Sequence, residues 1–209
     1  MLDNIPWNGV LISVQPRIRL NRSFDQRSHT YQGYVLRVRG KIGSDTREFL
    51  VGVGEGAHAK NQFQVGDTVS GEALPVTDPR LETVEFYKAS KLKLIARSSG
   101  EQQEPPPWLG VPPPLPVYRD RGHRRLAAQT YQHKCVSCIW GCKMAVEMII
   151  DQWNPGQRKY RTEMFCYGPR SCPLYQPGPA RTVPGRKGMT YTEEDWVDEA
   201  ATSHRGPDE

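Results

Sequence analysis

Residues Thr30–Gly40 read TYQGYVLRVRG. Tyr34, Leu36 and Val38 fall on one side of a two-residue repeat and Val35, Arg37 and Arg39 on the other, which predicts a strand with an apolar inner face and a cationic outer one. A lone strand cannot bury that inner face, and the flanking sequence supplies partners. On the amino-terminal side, GVLISVQPRIRL (residues 9–20) alternates at Val10, Ile12 and Val14 and again at Ile18 and Leu20, with Pro16 marking a bend or bulge between the halves. The polar run Asn21–Thr30 is expected to be the loop between the two strands. On the other side the turn KIGSD leads into TREFLVGVG (46–54), a third strand. EGAHAKNQF (55–63) is long enough for one short helix, VGDTVSGEALPV (65–76) reads as a fourth strand, and LETVEFYKASKLKLIA (81–96) as a fifth with Phe86, Leu92 and Leu94 toward the core.

Five strands with a small helix between the third and fourth is the element order of an OB-fold. Residues 7–96 resemble that fold, with Gly66-Asp67-x-Val69-x-Gly71 leading into the fourth strand. The resemblance implies a five-stranded barrel that binds oligonucleotides or oligosaccharides across its second and third strands, flanked by the loops after strands one and four. Those loops are here Asn21–Thr30 and Thr77–Glu82. Binding a single strand needs cations that follow the phosphates and flat side chains on which bases stack. Arg17 and Arg19 share a face of the first strand, Arg37 and Arg39 a face of the second, and Phe24, Tyr31 and Tyr87 offer aromatic surface beside them.

The carboxyl half is organised by cysteine. All five cysteines lie between Tyr131 and Pro173, in the pattern C-x2-C-x3-C, a gap of 23 residues, then C-x5-C. Two thiolates at x2 spacing reach one ion across a short turn, so zinc held by Cys135, Cys138, Cys166 and Cys172 is the leading assignment, with Cys142 left over as an alternative ligand. Cys135, Cys138 and Cys142 with one distal cysteine would also suit an iron–sulfur cluster, and His133 is a further possible ligand. The segment Lys143–Trp153, KMAVEMIIDQW, is expected to form an amphipathic helix between the two groups of thiols, and QRKYRTEMFCYG (157–168) a strand.

Length and composition frame these readings. In 209 residues, 19 glycines and 18 prolines point to strands and turns, not a helical bundle. The expected organisation is mainly β with a small α+β metal lobe: a five-stranded OB-like barrel over 1–97, a Pro-rich linker over 98–117, a Cys-cluster domain over 118–180 and an acidic extended tail over 181–209. The linker should run as a polyproline strap, docked through Trp108 and Leu109. No apolar run is long enough for a membrane span and no signal peptide is apparent, so a cytoplasmic, reducing setting is expected, where clustered cysteines mean metal more often than disulfides.

Net charge is +4 over 1–97, −2 over 98–117, +6 over 118–180 and −3 over 181–209. Two basic regions and an acidic end suit a polyanion binder. The densest basic run is Tyr118–Arg125, with Arg119, Arg121, Arg124 and Arg125. No nucleophile motif surrounds a serine, the five histidines are scattered, and Gly52–Gly56 lacks the lysine of a phosphate-binding loop, so nothing supports an enzyme. The expected function is single-stranded DNA or RNA binding with a structural zinc site. The alternatives are an iron–sulfur redox or sensor protein, and an adaptor that recruits a protein partner through its Pro-rich segment and acidic tail.

Overall fold

The computed structural model describes residues 3–99, 104–154 and 156–208. It is mainly β, and its organising strand is β1, Ile5–Arg22, 18 residues long. β1 turns through Ser23–Gln26 into β2, Arg27–Ile42, and the two pair antiparallel from Trp7↔Ile42 to Arg22↔Arg27. The loop expected over Asn21–Thr30 is therefore shorter, because both strands run on until the Ser23 hydroxyl accepts from the Gln26 amide at 3.1 Å and closes the turn. β3, Asp45–Val53, pairs antiparallel with β2, and α1, Glu55–Asn61, follows. β4, Thr68–Pro75, returns to the amino-terminal half of β1, and β5, Phe86–Ala96, pairs with β4 and meets β3 in parallel at Val51↔Phe86. The pairings close a ring in the order β1-β2-β3-β5-β4-β1. Inside it Trp7, Leu36, Phe49, Val51 and Val69 are buried, with Phe49 edge-on to Trp7 and Phe86.

Pro16 sits mid-strand, opposite Tyr34, while the register shifts flank it at Leu11/Ser13 and Arg17/Ile18. β4 pairs with residues 5–10 of β1 and β7 with residues 19–22, so Pro16 lies where β1 has β2 as its strand neighbour on one side alone. Its missing amide is not needed there.

The carboxyl half extends the same sheet. After α2, Leu115–Arg121, come β6, Arg124–Arg125, and the short α3, Ala128–Thr130. β7, Gly141–Ile149, adds to β1 in parallel, β8, Arg158–Cys166, pairs antiparallel with β7, and β6 caps β8. The helix expected over Lys143–Trp153 is thus corrected to a strand. Met, Ala and Glu favour helix in isolation, but Cys142, Met144, Val146 and Met148 also recur at period two and face the main core. β1 on one side and β8 on the other supply a ladder that a solitary helix would forgo, while Lys143 and Glu147 stand on the opposite face of the strand. The expected separate metal lobe is likewise not seen: the cysteine-bearing chain is part of the eight-stranded sheet, and its five thiols are all free.

The described part of the Pro-rich segment packs on the body. Trp108 packs against the cysteine cluster and its carbonyl accepts from the Ile139 amide at 2.9 Å, while the Tyr34 hydroxyl donates to the Pro113 carbonyl at 2.8 Å. α2 begins inside the stretch expected to be extended, with proline in its first turn, where a missing amide is harmless. The described tail is folded and not extended. β9, Arg181–Pro184, and β10, Thr190–Glu193, form a hairpin, and α4, Asp195–Thr202, follows. No helix among the described residues is long and apolar enough to cross a membrane.

Candidate functional site

Cys135 closes a π turn, Tyr131–Cys135, that continues α3. The Cys138 amide donates to the Cys135 carbonyl at 3.1 Å and the Gly141 amide to the Cys138 carbonyl at 3.0 Å, so two tight turns carry the chain into β7. Gln15 on β1 fixes both turns: its Nε2 donates to the Cys135 and Cys138 carbonyls at 2.9 and 2.8 Å, and its Oε1 accepts from the Tyr131 hydroxyl at 2.6 Å. A Cβ at Gly141 would stand 2.6 Å from the Cys135 carbonyl oxygen, so this approach requires glycine. Cys166 ends β8, and the Cys172 amide donates to the Pro169 carbonyl at 3.2 Å in a turn of its own.

Cys135, Cys138, Cys166 and Cys172 line one cavity, walled by Trp108, Leu126, Trp140 and Tyr175. Its free space is about 10 Å³, roughly what one water-sized particle occupies. The amide two residues beyond a cysteine bonds back to its sulfur twice: Gly168 donates to Cys166 Sγ at 3.4 Å, and Trp140 makes the equivalent backbone bond to Cys138. Amides so placed orient a thiolate and spread its charge, as outer-shell donors do around metals. Among the described residues no group of three or more His, Cys, Asp and Glu side chains is placed to hold a metal ion.

Burial pushes Cys135 up to about 12, with Cys138, Cys166 and Cys172 adding repulsion. Burial raises Cys138 to about 11 against the pull of the Trp140 and Trp108 backbone, and raises Cys166 against the Gly168 amide and Arg124. These three thiols are therefore neutral at pH 7 unless a cation draws off their protons. Cys142 is elsewhere, fully buried in the main core with its thiol 3.5 Å from the Pro16 carbonyl. His133 is exposed and does not line the cavity.

The second candidate region is the outer face of β1, β2 and β3. Gln15, Val35, Arg37, Leu50, Thr83 and Lys143 share one hollow there. Arg17 lies over Gly52, whose Cβ would come within 3.0 Å of its Nη1, and pairs at 2.6 Å with Glu82 in the β4–β5 loop. Arg19 pairs at 2.6 Å with Glu147, which also holds Arg158. Arg37 and the exposed Arg39 share Glu48 at 3.7 and 2.8 Å. No protein family, curated protein or solved structure matches the chain.

The remaining expected contacts scatter. Tyr31 is half-buried beneath the Arg119 guanidinium at 4.9 Å, and Tyr87 is half-buried with Lys88 at 5.2 Å. Arg121 covers Trp140 at 4.4 Å and donates to the Tyr167 carbonyl, while Arg124 covers Tyr175 at 3.7 Å and donates to the Pro169 carbonyl. Arg125 is wholly buried, bound to Asp198, Asp195 and the Glu193 carbonyl, and so offers no surface to a phosphate. Sequence reasoning missed Gln15, Lys143 and Glu82. A glutamine beside Pro16 in an apolar strand is the one sequence cue to Gln15.

Two of the carboxylates in this network make stability pH-dependent. Burial alone would raise Glu147 and Glu193, yet Arg158 and Arg19 hold the first, and Arg22 and Arg27 the second, below the ordinary value of 4.5. A depressed carboxyl contributes stability above its unfolded value and loses it as pH falls through the folded one. The urea midpoint is therefore expected to drop between pH 5.5 and 3.5, and Glu147→Gln to drop it less steeply. Equal slopes for the two proteins would refute this assignment.

Proposed function

We propose that the protein binds single-stranded DNA or RNA across the outer face of an OB-like barrel made by β1–β5, and that a structural zinc ion held by Cys135, Cys138, Cys166 and Cys172 braces the neighbouring turns. The observation that carries the reading is the ring order β1-β2-β3-β5-β4 with α1 between β3 and β4, combined with Arg19, Arg37 and Arg39 on outward strand positions; Arg17 is buried beneath Glu82 of the β4–β5 loop. That surface lies between the β1–β2 and β4–β5 loops, where an OB-fold takes its ligand. The carboxylates that now pair with these arginines, Glu48 serving both Arg37 and Arg39, keep them extended and ordered, and a phosphate can take the place of Glu48.

Zinc is preferred to an iron–sulfur cluster on donor set and size. The cavity gathers four thiols and omits Cys142, and its free space suits one ion, not irons with inorganic sulfide. When bound, zinc supplies a fixed tetrahedral tie and no redox chemistry. The residues around it do the rest: Gln15 links the first pair of cysteines to β1, and Lys143 stands on the adjoining face.

Anisotropy of a labelled 20-mer, as deoxythymidylate and as uridylate, tests the binding. If four phosphates are neutralised, the single-strand salt slope of about −0.7 per contact weakens affinity roughly 50-fold between 50 and 200 mM salt. The pair Arg37→Glu and Arg39→Glu is expected to cost at least about 10-fold more at low salt. An affinity that ignores both salt and charge reversal would end this reading.

A further inference from the structure

We infer that the groove between the β1–β2 loop and the folded tail is a nucleotide subsite, taking one unpaired base of a bound strand against Trp196 and Phe24 and the adjacent phosphate on Arg27. The inference rests on the single-strand reading and extends it to a surface that the tail builds. The groove encloses about 420 Å³, within the usual range for small-molecule sites of roughly 300–1,000 Å³. Phe24 comes from the loop, Tyr191 from β10 and Trp196 from α4, so three flat rings from three elements face one space. Trp196 is 60% exposed. Phe24 also borders a second hollow that includes Trp153 and Met189, and these two with Trp196 are three of the six large apolar side chains left exposed among the described residues. Exposed rings gathered at one loop mark a contact surface.

The charge beneath the rings decides what kind of contact. Arg22 pairs with Glu193 at 2.7 Å and stands 3.6 Å from Glu163, Arg27 pairs with Glu193 at 3.0 Å, and Arg181 pairs with Glu163 at 2.9 Å beside Arg161. Four guanidiniums thus share two carboxylates. Including the adjoining Arg125 with Asp195 and Asp198, five face four, and Asp195 is turned to solvent with 83% of its side chain exposed. Asp25 at the loop tip is bound to the Ser23 hydroxyl and also exposed. Arg22 Nε, on a side chain 96% or more buried, has no hydrogen-bond partner among the described residues. His29 and His123 add no charge at pH 7, since burial, then nearby arginines for His29 and His29 itself for His123, hold both below their ordinary value. Arg27, with 41% of its side chain exposed at the rim of the groove, can turn from Glu193 to an anion, and rings beside it call for a flat apolar body. An apolar peptide would use the rings and not Arg27. A nucleotide unit uses both.

The test employs the full chain, the same labelled deoxythymidylate 20-mer, and AMP as a free nucleotide. Trp196→Ala removes an exposed ring and leaves the melting temperature unchanged, and it is expected to weaken the 20-mer about 5- to 100-fold, the range found when a stacking ring is cut back. Arg27→Ala should weaken it further and flatten its salt slope by one phosphate. If Trp196→Ala binds as wild type while the Arg37/Arg39 reversal fails to bind, the subsite is overturned and the barrel-face reading stands. If neither change matters, the reading itself falls. If AMP fills the groove and the 20-mer cannot displace it, the occupant is a free nucleotide and the inference is overturned.

Discussion

Protein purified without chelator is expected to carry one zinc ion per chain and no visible chromophore, and Cys138→Ser to carry none and to melt about 10–20 °C lower. Apparent zinc affinities at four-thiolate sites reach about 10–16 kcal/mol, most of which is folding free energy because the unfolded chain has no preformed site. Here part is spent on deprotonating buried thiols. A net loss of about 5 kcal/mol remains a reasonable figure, and at roughly 2–4 °C per kcal/mol for a chain of this size it gives the stated shift. The turns that carry Cys135 and Cys138 are held by Gln15 even without metal, so the loss should be partial, with the β1–β5 ring melting later than the carboxyl half. Cys142→Ala supplies the control. Its thiol lies in the main core, away from the cavity, so the variant must keep its zinc whatever it loses in packing. Metal analysis and calorimetry read both. Iron with visible absorption, or a colourless wild type with zinc far below one per chain, would sink the assignment.

How far the fold was legible follows from which signals are local. Tyr34, Leu36 and Val38 are buried while Arg39 is exposed, as their alternation announces, because β2 has one wet face. The hairpin and ring follow from such strands in series. β7 was misread because Lys143 and Glu147, four residues apart, fit one side of a helix as well as one face of a strand, and Met144, Val146, Met148 and Ile149 satisfy a helical stripe almost as well. The gathering of Cys135 and Cys138 with Cys166 and Cys172 was legible from spacing, although what lies between them is a hairpin and not a helix. The role of Gln15 is not local: the carbonyls it serves lie 120 and 123 residues away, and only the completed sheet selects them. The basic run at Tyr118–Arg125 looked uniform in sequence, yet the fold splits it. Arg119 is exposed, Arg121 and Arg124 lie on aromatic rings, and Arg125 vanishes into the tail interface.

That last residue gives the second large effect. Arg125→Met is expected to destabilise the protein by about 3–5 kcal/mol, the range for removing one partner of a buried ion pair. Methionine keeps the length and apolar stem of arginine, so little of the loss comes from volume. What it strands is Asp198, only 9% exposed, which then retains the Arg125 backbone amide at 2.9 Å as its one remaining donor from that residue. α4 loses its Asp195 contact and β10 its Glu193 carbonyl contact at the same time. Burial already raises Asp198 above the usual carboxyl value in spite of Arg125. Without the guanidinium it rises further, and a raised carboxyl opposes folding above its folded value and ceases to do so once both states are protonated. The deficit of Arg125→Met relative to wild type should therefore narrow as pH falls from 7 toward 4, the reverse of the trend set by Glu147 and Glu193. Asp198→Leu in the Arg125→Met background removes the stranded charge and should recover most of the stability, as apolar replacements of buried ion pairs do. Urea unfolding at pH 7 and pH 4.5 checks all of this. A single variant within about 1 kcal/mol of wild type, or a double variant no better than the single, would mean that the tail is held by something other than this arginine.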